Sequence, residues 1–208
     1  GLTIIMISKN IVKILKQSLA KEGHASLLVC GGSSPLKIFH ELNQAKLDWK
    51  NITISLIDDR IVNNDHPDSN EFLVKNHLLK NLAADAKFIS LNNDHELLLK
   101  DRKRFDVAII GMGPDGHFAS LFPSMISTTN YLDHFADPAI ILTDLIGSPE
   151  YMRTSMNLSM ILKTENIFVV IPNEDKLNIL EDAKSNKQLP MFYLLNQKIR
   201  PINILKVF

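Results

Sequence analysis

The chain has very little cysteine: Cys30 stands alone in 208 residues. That excludes an internal disulfide framework and suits a reducing compartment, so a cytoplasmic setting is expected. Cys30 follows Leu27-Leu28-Val29 and reads as a small buried hydrophobe. Net charge is lacking as well. With 23 basic and 23 acidic residues, no bulk field favours nucleic acid or an acidic membrane, and neither is expected as a partner. No apolar run approaches the roughly 20 residues of a membrane span, and no basic region leads into an apolar core as in a signal peptide. Internal repeats, low-complexity tracts and long linkers are absent, as is any His/Cys/Asp cluster with metal-ligand spacing. These absences leave one globular domain over residues 1–208 as the expectation.

What is there alternates between two periods. Residues 8–21 carry apolar positions at helical spacing (Ile11, Val12, Ile14, Leu15, Leu19) closed by Gly23. Strand-like runs are expected at 26–30, 52–57, 87–91, 106–110, 139–143, 167–171 and 202–207. Helices are expected after Pro35, over 70–80 with Ser69 as N-cap, over 94–104, briefly near 116–121, and over 174–184. Strand alternating with helix predicts an α/β fold: a mainly parallel central sheet with helices on both faces, a Rossmann-like three-layer sandwich. Ligands in such folds bind beyond the carboxyl ends of the strands.

Three motifs each follow a predicted strand and so should meet on that rim. Gly31-Gly32-Ser33-Ser34-Pro35 opens a helix, where free N–H groups, hydroxyls and the helix dipole favour a phosphate. It is not a Walker A loop, because no Gly-Lys-Ser/Thr follows. Asp58-Asp59-Arg60 sets two carboxylates and a guanidinium at a strand end, the guanidinium suited to a forked grip on phosphate or carboxylate. The two aspartates should point to opposite faces of an extended chain, which argues against a paired-carboxylate mechanism.

The third motif, residues 105–123, is the most informative. A buried strand runs into Gly111, Gly113 and Gly116 with Asp115 and His117 among them. The glycines allow close backbone approach to an anion, and a histidine beside a carboxylate is a candidate general base. Gly111-x-Gly113-x-x-Gly116 also matches the dinucleotide fingerprint. That fingerprint wants an acidic residue about 20 positions on, and Asp144, closing the next strand-like run, comes too late. Two further cations stand out. Arg153 follows Ser148-Pro149, and Lys176 sits at a predicted helix start, where the dipole disfavours it unless an anion is near.

Taken together, these stretches resemble the 6-phosphogluconolactonase family in the same chain order. The glycine loop is similar to that family's GGS(T/S)P, and Asp58-Asp59-Arg60 through Asp68-Ser69-Asn70 to its DERxV…DSN segment. Residues 111–123 match its GxGxDGHxASLFP signature, and Arg153 and Lys176 fall at its RxT-like arginine and GxxK-like lysine. Asp59 stands where Glu is usual, Asn63 where Pro is common, and Asn173 where Gly is usual. The resemblance implies the fold shared with glucosamine-6-phosphate deaminases and ribose-5-phosphate isomerases. It also implies hydrolysis of 6-phosphoglucono-1,5-lactone without metal or organic cofactor, in a monomer or weak homodimer with a small sugar phosphate as partner.

By the same resemblance His117 is the general base, and Asp115 or Asp58 orients it. N–H groups near Gly113–Gly116, with a nearby cation, would stabilise the oxyanion. Gly31, Gly32, Ser33, Ser34, Arg60, Arg153 and Lys176 are candidates for holding the phosphate. Two alternatives remain at this point: a glucosamine-6-phosphate deaminase/isomerase-like enzyme, and a non-catalytic sugar-phosphate-binding protein. Deaminases continue DGH with IAFNEP and have DEY at the strand end, whereas this chain has FASLFP and Arg60.

Overall fold

The computed structural model describes residues 1–100 and 104–208. In chain order its first elements are α1 (Leu2–Glu22), β1 (Ala25–Val29), α2 (Leu36–Leu42), β2 (Ile52–Leu56), β3 (Asp58–Arg60) and α3 (Asn70–His77). Then follow β4 (Lys87–Phe88), α4 (Leu91–Asp94), α5 (Glu96–Lys100), β5 (Phe105–Ile110), α6 (Met125–Thr128) and β6 (Ile140–Leu142). The chain ends with β7 (Arg153–Met156), α7 (Leu158–Ile161), β8 (Thr164–Ile171), α8 (Glu174–Ala183), α9 (Met191–Leu195) and β9 (Ile202–Lys206).

The central sheet has six strands in the order β4-β2-β1-β5-β8-β9, all paired in parallel. All five residues of β1 are buried, which requires cover on both faces and explains the uninterrupted apolar sequence. Helix α1 lies against β1 and β5, and α8 against β8. Asp106, the acidic residue within β5, accepts hydrogen bonds from Ser18 Oγ, Ser26 N and Ser26 Oγ at 2.7, 2.7 and 3.2 Å. It thereby ties α1 to the centre of the sheet. Helix α1 begins at Leu2, about two and a half turns before the first periodic residue, Ile11, and stops at Gly23 with φ +80°, the left-handed closure glycine permits.

From β1 the chain winds outward through β2 to β4, and from β5 outward the other way through β8 to β9. The direction therefore reverses between β1 and β5, and the crevice beyond their carboxyl ends is where such sheets take ligands. The Gly31 and Gly111 loops flank it.

Two expectations are corrected. No helix forms over 116–121: Gly116 and Ala119 take φ of +79° and +52°, outside helical geometry, and Phe118 instead bridges Leu121. The next helix, α6, starts only at Met125, so no helix N-terminus stands at Gly116 to receive a pyrophosphate. The second correction concerns Asp58-Asp59-Arg60 and the 139–143 run. Neither belongs to the main sheet. They form a separate antiparallel sheet in the order β3-β7-β6, whose middle strand, Arg153-Thr154-Ser155-Met156, is too polar to have shown as a strand. The 87–91 run shortens to two residues. The helix expected over 94–104 is realised as α5, with 101–103 outside the described residues.

Candidate active site

A cavity of about 260 Å³ opens at the β1/β5 crevice. It is lined by Gly31 to Ser34, Asp58, Arg60, Gly113, His117, Arg153 and Lys176, so the fold gathers these expected residues from five separate stretches. Asn70 lines it too. Its side chain donates to Asp58 O at 3.0 Å, and its amide oxygen occupies the space a β-carbon at Gly31 would need. Gly31 thus fits the glycine loop against the start of α3. Only the DSN match had marked this asparagine; as a buried polar residue at a helix start it carries no signal of its own.

Asp115 stands at the edge of this cavity and holds His117: Oδ1 lies 2.5 Å from His117 Nδ1 and also accepts the His117 backbone N–H at 3.1 Å. Burial alone would raise the Asp115 pKa, but its contacts with His117 outweigh that and hold the carboxyl below the usual range. A neutral imidazole that donates Nδ1–H to Asp115 carries its lone pair on Nε2. The imidazole stacks on Phe122, ring centroids 4.4 Å apart. Asp58 serves elsewhere, accepting from Ser120 Oγ at 2.7 Å. Between the two aspartates, it is Asp115 that touches the ring.

The glycine turn differs from expectation. Gly113 N donates to His117 O at 2.9 Å and Gly116 N to Gly113 O at 3.0 Å, so these N–H groups brace the turn and are not presented to an oxyanion. Gly113 is needed because a β-carbon there would overlap the His117 ring.

Three cations line the same cavity. Arg60 and Arg153 face each other directly across the β3–β7 ladder, a pairing of like charges that is unfavourable unless something negative lies between. Arg153 is 3% exposed, and burial first, then Arg60, push its pKa down. It is held by backbone carbonyls, donating from Nη2 to Pro149 O at 2.7 Å, and packs over Phe122. Arg60 donates to Asp68 O at 2.9 Å, while its buried Nε has no hydrogen-bond partner. Lys176 donates to Met112 O, and burial lowers its pKa. Among the described residues none of the three sits in an ion pair. Asn173, where glycine is usual, caps α8 by accepting from Lys176 N at 2.9 Å, which accounts for that departure.

Comparison with known proteins now bears on this constellation. A model of the family described as glucosamine-6-phosphate isomerases/6-phosphogluconolactonase matches residues 3–200. The chain belongs to this family. It is 37% identical to a Neisseria meningitidis 6-phosphogluconolactonase over 88% of this chain and 85% of that protein. It is 35% identical to one from Helicobacter pylori over 87% of this chain and 83% of that protein. The crystal structure of a 6-phosphogluconolactonase from Shewanella baltica superposes with TM-score 0.88 at 30% identity, covering 99% of this chain and 93% of that one. The GGSSP and DGH segments of this chain lie on the two loops flanking the crevice.

Cys30 also lines the cavity, and it is inert. Burial, followed by the Asp58 charge, raises its pKa to about 12, so almost no thiolate forms near neutrality. Iodoacetamide at pH 8 should leave the folded protein unmodified by mass spectrometry and label it fully in denaturant. Equal labelling in both states would contradict this burial.

Among the described residues, no group of three or more His, Cys, Asp and Glu gathers to hold a metal. No helix is long and apolar enough to cross a membrane.

Proposed function

We propose that this chain hydrolyses 6-phospho-D-glucono-1,5-lactone to 6-phospho-D-gluconate, as a cytoplasmic enzyme of the oxidative pentose phosphate pathway. The observation that carries the reading is the His117–Asp115 pair at a cavity also lined by Arg60, Arg153 and Lys176, none of them ion-paired to a carboxylate among the described residues. A base and three cations share one cavity, which is what a phosphorylated ester of a sugar acid requires.

In this scheme Nε2 of His117 takes a proton from water as the oxygen attacks the lactone carbonyl. The carbonyl π electrons move to oxygen, and one of the cations lining the cavity stabilises the resulting oxyanion. On collapse the bond from C1 to the ring oxygen breaks. The imidazolium returns its proton to that oxygen, and the new carboxylic acid ionises. Asp115 keeps Nδ1 protonated and steadies the transient imidazolium. The glycine loop with the buried cations grips the phosphate, and a single folded unit over 1–208, as monomer or weak homodimer, suffices for every step. The chemistry uses side chains and water alone.

FASLFP after DGH and Arg60 at the strand end favour lactone hydrolysis over deamination of glucosamine 6-phosphate. Purified protein mixed with freshly generated lactone in weak buffer should release protons well above the spontaneous rate. Ammonia release from glucosamine 6-phosphate, with no excess proton release from lactone, would transfer the chain to the deaminase side of the family. Binding of 6-phosphogluconate without turnover of either would make it a sugar-phosphate-binding protein.

A further inference from the structure

Two arginines set directly across a ladder repel each other, so each must be anchored to keep its place. The two anchors meet in one hairpin. Residues 146–151 turn back on themselves, Ile146 N donating to Tyr151 O at 3.0 Å and Tyr151 N to Ile146 O at 3.1 Å. This hairpin holds Arg153 by two carbonyls: Nε donates to Ile146 O at 3.3 Å and Nη2 to Pro149 O at 2.7 Å. Arg60 is held elsewhere. Its Nη1 donates to Asp68 O at 2.9 Å, in the loop that runs from β3 to α3.

What ties that loop to the hairpin is a tyrosine. Loop and hairpin separate after Ile61, whose N–H donates to Met152 O at 2.9 Å. Past that point a single hydrogen bond rejoins them among the described residues: the Tyr151 hydroxyl donates to Asp68 Oδ2 at 2.5 Å. The acceptor is a carboxylate, so the bond is charge-assisted. It also raises the Tyr151 pKa, which keeps the hydroxyl a donor at neutral pH. The tyrosine ring meets His66 edge to face, centroids 6.1 Å apart, and His66 Nδ1 accepts from Asp68 N at 2.9 Å. Asp68 is therefore gripped at its carboxylate and its N–H while its carbonyl grips Arg60. Tyr151 is not among the residues lining the cavity, so any effect it has on a ligand passes through Arg60.

We infer that Tyr151 is a positioning residue for the phosphate grip: by clamping Asp68 to the hairpin that fixes Arg153, it holds Arg60 in register with Arg153 for a phosphate dianion. This rests on reading the cavity as a sugar-phosphate site. A phosphate monoester carries close to two negative charges at neutral pH and offsets both guanidinium groups at rest. A carbonyl oxyanion bears one charge and exists only in passing.

The test is Tyr151→Phe in the full chain, which keeps the ring and removes the donor. KM for the lactone should rise about 3–10-fold, the worth of one weakened charge-assisted contact, with kcat within about twofold of the parent. The dissociation constant of 6-phosphogluconate and the inhibition constant of inorganic phosphate should rise by the same factor, and the melting temperature should hold. Asp68→Ala leaves the main-chain oxygen that Arg60 uses, yet should reproduce the loss. Asp68→Asn, which still offers the hydroxyl an acceptor, should restore most of it. The double variant Tyr151→Phe, Asp68→Ala should be no weaker than either single one. Unchanged KM and phosphate affinity, losses that multiply in the double variant, or a lowered melting temperature with affinity intact would each overturn the inference. So would a fall in kcat alone, which would put Arg60 at the oxyanion. Should the parent fail to turn over lactone, the proposed activity falls by itself, and phosphate binding still reads the clamp.

Discussion

Replacing His117 with alanine should lower lactone turnover by about 10²–10⁴-fold, the usual worth of a positioned general base, or about 3–5 kcal/mol of barrier. The loss should fall on kcat. The groups proposed to grip phosphate, from the glycine loop through Arg60 and Arg153 to Lys176, do not depend on the imidazole for their own contacts: Arg153 is fixed by Pro149 O, Arg60 by Asp68 O and Lys176 by Met112 O. 6-Phosphogluconate should therefore bind the variant within a few-fold of its affinity for the parent. The fold should also survive. The His117 side chain is 25% exposed, and what it leaves is one face of Phe122, not a hole in the core. Activity should recover partly with rising pH as hydroxide replaces the activated water. If His117→Ala keeps more than a tenth of parental kcat, the base is another group and the scheme fails.

The outline of this site was legible because its parts stand where sequence speaks clearly. Strands β1, β2 and β5 are buried on both faces and give short apolar runs, and each ends in a residue cluster that apolar periodicity does not explain. Those clusters had to lie on one rim. The pairing of Asp115 with His117 was open beside Asp58 until distance decided it, since sequence orders residues along a chain and not across a cavity. What stayed hidden was the second sheet. Arg153-Thr154-Ser155-Met156 is buried throughout, yet it is polar: on one side it pairs with Asp58-Asp59-Arg60 and on the other with the aliphatic Ile140-Ile141-Leu142. A strand of arginine and hydroxyl residues leaves no hydrophobic pattern of its own, so the register that sets Arg60 opposite Arg153 could not be foreseen. Asp59 shows the same difficulty. It accepts backbone N–H groups from Arg60, Asn70 and Glu71 and joins β3 to the start of α3, a structural duty indistinguishable in sequence from a catalytic one.

Gly113→Ala should be nearly as damaging as removing the histidine, for a reason the glycine pattern alone would misassign. Glycine after a buried strand suggests room for a ligand anion, but the space over Gly113 is filled by the His117 ring: an added β-carbon would overlap Cε1 and Nδ1. Gly113 does not take a positive φ, so alanine is acceptable to the backbone there and the whole cost falls on the imidazole. The ring must swing off Phe122 and away from Asp115, and a displacement of about 1 Å at a catalytic group costs on the order of 10²-fold. We expect kcat to fall at least that far with the melting temperature nearly unchanged. Gly116→Ala is the contrast. That residue takes φ +79° and a β-carbon would stand 2.9 Å from Leu189 Cβ, so the same substitution three residues on should lower the melting temperature by straining the turn. The double variant Gly113→Ala, His117→Ala closes the argument. If Gly113 acts only by admitting the ring, the double variant should be no slower than His117→Ala alone. Losses that multiply would mean that Gly113 contributes to the transition state by itself.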